Sequence, residues 1–262
     1  MSKITPFPWY GSKYTQVSWL LDIIPENNRY LEPFGGSGIV LANRDPVEVE
    51  TFNDIHGGVV NFFEVVRRQP GELKRQLEWT PYSREMYQQA VEHTPEDDVQ
   101  RAVYFLVRIA QSFGGAEANG WGRSITTSRR GKAQRPAAWE HRLEQIEEVA
   151  KRFRRVQLES TDAIGLIEDF DESKLTIYCD PPYPPSARVA KNKYVHEFDA
   201  DQHRQLAETL RSCEADVVVS GYRCDLLDDC YDGWNCYLEG EKTLAGAETG
   251  SREEVCYTNF DG

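Results

Sequence analysis

Tyr30-Leu31-Glu32-Pro33-Phe34-Gly35-Gly36-Ser37-Gly38 decides the fold. An apolar run that reads as a strand enters a turn with three glycines in four residues, and Ile39-Val40-Leu41-Ala42 then reads as a helix. Residues 47–52 read as a second strand ending at Asn53-Asp54, and residues 55–67 as a second helix. Upstream, Val17, Leu20, Leu21 and Ile24 share helical spacing until Pro25 stops them. A βαβα opening of this kind marks a doubly wound parallel sheet. The middle of the chain breaks the pattern. Residues 83–93 and 96–113 read as helices, 114–136 as a polar loop rich in Gly, Ser, Thr and Arg, and 137–153 as a charged amphipathic helix. Strand patterning returns at 156–158, 175–179, 216–220, 234–238 and 255–260. The expectation is an α/β sheet domain (1–59 and 156–262) split by a mostly helical insertion (60–155).

The glycine turn lets backbone approach a ligand closely. Asp54 ends the next strand, sixteen residues past Gly38, where an acid can hold both hydroxyls of a ribose. A nucleoside-type cofactor fits this arrangement. A dinucleotide enzyme would look similar, but the loop lacks GxGxxG spacing, and Pro33 and Phe34 leave few free N–H groups for a pyrophosphate.

A second motif carries the chemistry. The apolar run Leu175-Thr176-Ile177-Tyr178-Cys179 reads as a buried strand and ends in Asp180-Pro181-Pro182-Tyr183. A carboxylate and a proline carbonyl can both accept hydrogen bonds from an exocyclic NH₂. The prolines supply no competing N–H and stiffen the backbone, and the tyrosine offers a face for stacking. Methyl transfer to the amino group of a nucleobase needs this combination; a proline turn closing the strand is the plainer alternative.

Composition sets the limits. The 262 residues suit one α/β domain with an insertion, and 40% hydrophobic content is enough for a core. No apolar stretch approaches the ~18 residues of a membrane span, and the N-terminus shows no signal-peptide pattern. Six cysteines without CxxC pairing or zinc spacing read as free thiols in a reducing cytoplasm. No metal is expected. Net charge is −13, yet residues 121–155 hold ten basic side chains against four acids, so the remainder carries −19. Arginines (21) outnumber lysines (9). An acidic, lysine-poor surface is what a high-salt cytoplasm favours, because screening there tolerates self-repulsion.

Together these segments resemble the Dam-like, alpha-group DNA adenine-N6 methyltransferases, over most of the chain outside the insertion. Trp9-Tyr10-Gly11-Ser12-Lys13 is similar to that family's N-terminal Trp-x-Gly-Gly-Lys motif, with Ser12 in place of a glycine. Glu32–Gly38 resembles its E-P-F-x-G-x-G loop, and Asp180–Tyr183 its catalytic motif. Tyr194, Phe198, His203 and Leu206 match the spacing that follows, and Ser220-Gly221-Tyr222 and Arg252-Glu253…Asn259-Phe260 also look familial.

The resemblance implies a Rossmann-like methyltransferase fold that uses S-adenosylmethionine (AdoMet). It places cofactor contacts at Trp9, Tyr10, Gly11, Lys13, Glu32, Phe34, Gly35, Gly36, Gly38, Asp54, Asp162 and Asp180. Lys13 would hold the methionine end, Asp54 the ribose, and Asp162 would lie near the adenine. Catalysis falls to Asp180, Pro181, Pro182 and Tyr183. The partner is double-stranded DNA, met by Arg123, Arg129, Arg130, Lys132 and Arg135 in the one strongly basic window. A monomer in a prokaryotic or viral setting is expected, with any restriction endonuclease on a separate chain. The stretch 114–122 departs from the recognition hairpin of the best-known members, so the target sequence stays open. Cytosine-N4 or RNA-adenine methylation, an NAD-linked oxidoreductase and a non-catalytic DNA-binding module are the competing readings. His203, early in a helix, reads as structural.

Overall fold

The computed structural model describes residues 3–115, 119–129, 131–184, 197–242 and 252–261. In chain order the first elements are α1 (Val17–Ile23), β1 (Arg29–Glu32), α2 (Ile39–Asn43), β2 (Val49–Asn53) and α3 (Gly57–Arg68). Then come α4 (Pro70–Glu78), α5 (Arg84–Glu92), α6 (Asp98–Ala110), β3 (Ser128–Arg129), β4 (Lys132–Ala133) and α7 (Gln134–Phe153). The last third contains β5 (Gln157–Glu159), α8 (Ala163–Phe170), β6 (Leu175–Cys179) and α9 (Ala200–Ser212). It closes with β7 (Asp216–Tyr222), α10 (Asp225–Cys230), β8 (Asn235–Lys242) and β9 (Arg252–Thr258).

Two units emerge. The helical one takes in Met1–Tyr14, Gly36–Arg44 and His56–Leu158; the sheet unit takes in Thr15–Gly35, Asp45–Ile55 and Glu159–Gly262. The sequence reading put its boundaries at 60 and 155, whereas the helical unit also includes the N-terminal motif and the helix after the glycine turn.

The large sheet runs β5-β2-β1-β6-β7-β9-β8. β1 pairs in parallel with β2 and β6, and β6 with β7. β9 pairs antiparallel with both β7 and β8. Every residue of β6 is buried, as a strand covered on both faces requires. Leu31, Ile177, Val217 and Val219 pack with Ile167 of α8, Leu206 and Leu210 of α9 and Tyr257 of β9 into one core. α9 starts where it does because Asp199 and Gln202 form a capping box.

In the helical unit Phe7 meets Phe62, Phe63 and Phe105 at ring distances of 5.1–5.7 Å, and Phe63 stacks on Phe153 at 4.0 Å. Such pairs add about 0.5–1.5 kcal/mol each beyond area burial. α4 was not expected: its helix is mostly polar, and only Leu73 and Leu77 are buried. α8 was also unread; its start is fixed by Asp162, whose carboxylate accepts from the Gly165 amide. α7 begins at Gln134, ahead of the expected 137, because Pro136 is tolerated in a first turn. Within the expected loop, β3 and β4 make a small antiparallel hairpin whose turn contains Gly131 at φ 75°.

All six cysteines are free. Among the described residues no helix is long and apolar enough to cross a membrane, and no cluster of His, Cys, Asp and Glu suits a metal.

One contact in the sheet unit tests the packing. A Cβ on Gly35 would lie 2.1 Å from the ring of Phe52, which is fully buried. The Gly35 amide is meanwhile held by the Asn53 carbonyl at 2.8 Å. Gly35→Ala should therefore cost about 1–3 kcal/mol, the usual price of overpacking. Chemical denaturation should show a lower midpoint with an unchanged m-value.

Candidate active site at the carboxyl edge of the sheet

Glu32 ends β1, Asn53 ends β2, Asp180 follows β6 and Tyr222 ends β7. Because β1 lies between β2 and β6, the strand order reverses between β1 and β6. In open α/β sheets the ligand crevice lies outside the carboxyl ends of the strands at such a reversal.

Asn53 organises this edge. Its amide nitrogen donates to the carbonyls of Pro33 (2.8 Å) and Thr161 (3.1 Å), and its side-chain oxygen accepts from the Thr161 amide (2.9 Å). Three strand-end loops are thereby tied by one buried side chain. Neighbouring Asp54 is half-buried; its amide meets the Glu159 carbonyl at 3.4 Å and its carbonyl accepts from Ser160 Oγ at 3.1 Å. Glu32 is 2% exposed and accepts from the Tyr30 hydroxyl at 2.9 Å. Phe34 packs edge-on against Phe198. Asp162, exposed, caps α8.

Three polar groups of Asp180-Pro181-Pro182-Tyr183 are held from downstream: the Asp180 carboxylate, the Pro182 carbonyl and the Tyr183 hydroxyl. Ser220 Oγ donates to Asp180 Oδ1 at 2.9 Å. The buried Tyr178 hydroxyl lies 2.9 Å from the same Ser220 oxygen. With the Ser220 proton directed at the carboxylate, Tyr178 is the donor in that pair. Burial and the nearby Asp180 charge push the Tyr178 phenol well above its ordinary range, so it stays protonated and able to donate. His203, 1% exposed, has Nε2 3.1 Å from the Pro182 carbonyl. A carbonyl only accepts, so Nε2 carries the proton. Tyr183 is 5% exposed; its hydroxyl donates to Glu254 at 3.1 Å and its ring meets Tyr222 at 4.7 Å.

The N-terminal motif lies in the helical unit. Trp9 packs edge-on against Phe7 and His56, both at 5.7 Å. A Cβ on Gly36, whose φ is 52°, would come within 2.9 Å of the Trp9 ring, which explains glycine there. Gly38, at φ 63°, is the N-cap of α2. Ser12 and Ser37 share a hydrogen bond of 3.2 Å. Lys13 is 3% exposed and donates to the Gly11 carbonyl at 3.4 Å, while Tyr10 is half-buried.

The basic residues divide by role. Arg123 and Arg129 are exposed, and Lys132 is exposed but faces both oxygens of Glu140 at 2.7–2.8 Å. Arg135 is structural: it donates to the Ser112 carbonyl at 2.8 Å and lies over the Phe113 ring. Arg130 lies outside the described residues, as does Tyr194 of the downstream motif. Arg142 is buried enough that its guanidinium is lowered to about 10.

Sequence reasoning gave no role to Asn53, Gln16 or Glu254 and missed the contacts of Ser220 and His203. Only Asn53, a polar residue at the end of β2, carried a signal in the sequence.

The family model for D12 class N6 adenine-specific DNA methyltransferases matches residues 9–244. The DNA N-6-adenine-methyltransferase of Escherichia phage P1 is 26% identical over 212 residues, covering 78% of this chain and 27% of that protein. The DNA adenine methylase of Vibrio cholerae is 27% identical over 230 residues, covering 82% of this chain and 79% of its own length. The Salmonella typhi DNA adenine methylase is 26% identical over 259 residues, 94% of this chain and 91% of that one. The chain thus spans about a quarter of the phage protein and most of the bacterial ones.

Asn53→Ala removes three hydrogen bonds at once. A net bond is worth about 0.5–1.5 kcal/mol, and a stranded buried group costs ~1–3. The expected outcome is a loss of roughly 2–4 kcal/mol in denaturant titration, together with faster amide exchange around Thr161.

Proposed function

Because the chain belongs to the D12 class N6 adenine-specific DNA methyltransferases, we propose that it transfers a methyl group from AdoMet to the N6 atom of a flipped-out adenine in double-stranded DNA, using Asp180–Tyr183. The observation that carries this reading is the tetrapeptide at the carboxyl end of β6, with its aspartate, its prolyl carbonyl and its tyrosine each fixed by a separate side chain.

Features within each unit suit AdoMet. Glycines 36 and 38 sit at positive φ, where backbone can approach a ligand. Asp54 follows β2 with its backbone tied to the loop after β5, and the motif match assigns its carboxylate to the ribose diol. Lys13 and Trp9 are assigned to the cofactor by motif match alone. When bound, AdoMet supplies an electrophilic methyl on a sulfonium. The chain's own task is positioning. Extruding the base costs a few kcal/mol, and Tyr183 stacks on it. Asp180 and the Pro181 carbonyl accept the two N6 hydrogens, which turns the nitrogen lone pair out of conjugation. The Pro182 carbonyl is already committed to His203, so the two consecutive prolyl carbonyls have distinct roles. The N6 proton leaves after transfer, when the amine has become acidic. Fixed geometry and electrostatics of this kind supply most of the rate.

The 60–155 segment is assigned to target recognition, with Arg123 and Arg129 as the exposed contacts; Arg135 is placed in its scaffold instead. AdoMet as donor, a high-salt cytoplasmic setting and a separately encoded endonuclease belong to the same reading.

Asp180→Ala should leave AdoMet binding measurable by calorimetry and abolish methyl transfer, read by mapping N6-methyladenine in DNA from expressing cells. Activity above about a tenth of wild type, a barrier change under ~1.4 kcal/mol, would remove Asp180 from this role. N4-methylcytosine in the product would move the substrate to cytosine.

Salt gives an independent check. With −19 outside a +6 window and few lysines, the carboxylates need screening for the chain to fold well. At ~1 M salt the Debye length falls to ~3 Å, and phosphate contacts weaken steeply. DNA binding must then rest on base-edge contacts and arginine geometry. Melting temperature and activity across a KCl series should both peak at molar salt, with a shallow salt slope for DNA affinity.

A further inference from the structure

Tyr183 is held at two points by residues that face each other across a strand pair. Tyr222, the last residue of β7, is the antiparallel partner of Glu254 in β9. The Tyr222 ring meets that of Tyr183 at 4.7 Å and an interplanar angle of 69°. Glu254 is 5% exposed, and its Oε2 accepts from the Tyr183 hydroxyl at 3.1 Å. Its other oxygen accepts from Gln16 Nε2 at 3.2 Å, and Gln16 Oε1 accepts in turn from Thr15 Oγ1 at 2.6 Å. Both carboxylate oxygens thus receive donors, so the side chain is hydrogen-bonded although it is kept from water. Gln16 is the N-cap of α1 and is itself 8% exposed. Three segments far apart in sequence converge on one phenol.

Stacking needs only a ring face, so a hydroxyl adds nothing to the stack itself. A buried carboxylate, however, is costly unless it is hydrogen-bonded. Its presence behind the stacking ring calls for a reason. We propose that Glu254 is a positioning residue for methyl transfer: with its cross-strand partner Tyr222, it fixes the plane of Tyr183 so that the target base is stacked with its amino group against Asp180. The edge contact with Tyr222 limits tilt, and the hydroxyl anchor limits rotation and withdrawal. Because Tyr183 precedes Pro184, its backbone is confined to extended conformations, so these two contacts complete its placement. A 1 Å error in such a placement can cost a hundredfold in rate.

The inference rests on the proposed stacking role of Tyr183, and the experiment separates the two. Full-length Glu254→Ala, Glu254→Gln, Tyr183→Phe, Tyr183→Ala and the double variant Tyr183→Phe/Glu254→Ala are compared by single-turnover methyl transfer and AdoMet calorimetry. A duplex carrying 2-aminopurine at the mapped target adenine reports stacking. Glu254→Ala should lower the transfer rate at least tenfold, leave AdoMet affinity within twofold, and reduce quenching of the flipped 2-aminopurine. Tyr183→Phe should match it, because the same hydrogen bond is lost. The double variant should be no slower than either single one, since residues acting through one contact are not additive. Glu254→Gln restores most of the rate, its amide oxygen accepting from Tyr183. If Glu254→Ala fails to fold, Tyr183→Phe and Glu254→Gln still decide. The inference is overturned if Tyr183→Phe retains the wild-type rate, or if the double variant loses the product of the two single effects. Wild-type transfer by Tyr183→Ala would instead remove the stacking role and the inference with it, whereas loss there with an unaffected Tyr183→Phe would remove the inference alone.

Discussion

One side-chain amide sets the geometry on which the sheet unit's edge depends. Asn53 reaches the loops after β1 and β5 from the end of β2, and its own carbonyl accepts from Gly35. Parallel strands align their carboxyl ends, but they do not fix how the chain leaves each strand. Buried backbone groups in those exits must be paired, since an orphaned one costs as much as a lost hydrogen bond. A primary amide, with two donors and an acceptor, can satisfy several at once. Asp54, next in sequence, is held through its backbone amide and carbonyl.

The Asp180–Tyr183 tetrapeptide is supported by the same logic from the other direction. Two prolines remove both N–H groups and two backbone torsions, so the loop after β6 makes few bonds of its own. Stability comes from side chains on later elements: Ser220 on β7, His203 on α9 and Glu254 on β9. The antiparallel pair β7/β9 therefore does more than close the sheet. It extends β7 to Tyr222 and brings Glu254 opposite, placing an acid and an aromatic ring behind the loop. His203 serves this end as well as the core, which gives the structural role read from sequence a specific object.

Much of the sheet was legible because its strands are buried on both faces and so appear as apolar runs between glycine or proline signals; β1 and β6 are examples. α4 was hidden because two leucines four apart carry its whole buried face. α8 was hidden because Asp162 reads equally as a ligand-binding acid and as a helix cap, and its carboxylate is in fact bonded to the Gly165 amide. The candidate acids and the tetrapeptide could be named from motif order. Their supports could not, because Gln16, Ser220 and Glu254 meet them only through folding, across up to 238 residues of chain.

Arginine shows where local reading fails for a physical reason. A charge run looks the same whether its members face solvent or hold a loop. Arg135 donates to the Ser112 carbonyl and fills the space beside Gly122, where a Cβ would lie 2.3 Å from its guanidinium. Gly122 in turn receives the Tyr82 hydroxyl on its carbonyl at 2.7 Å. Arg84 lies 4.8 Å over the Trp121 ring. Guanidinium suits such work because it is planar, many-donored and weakly hydrated, so it can be half-buried at modest cost. Part of the arginine content thus serves the helical unit, where guanidinium groups hold its loops. Arg123 and Arg129, by contrast, are exposed.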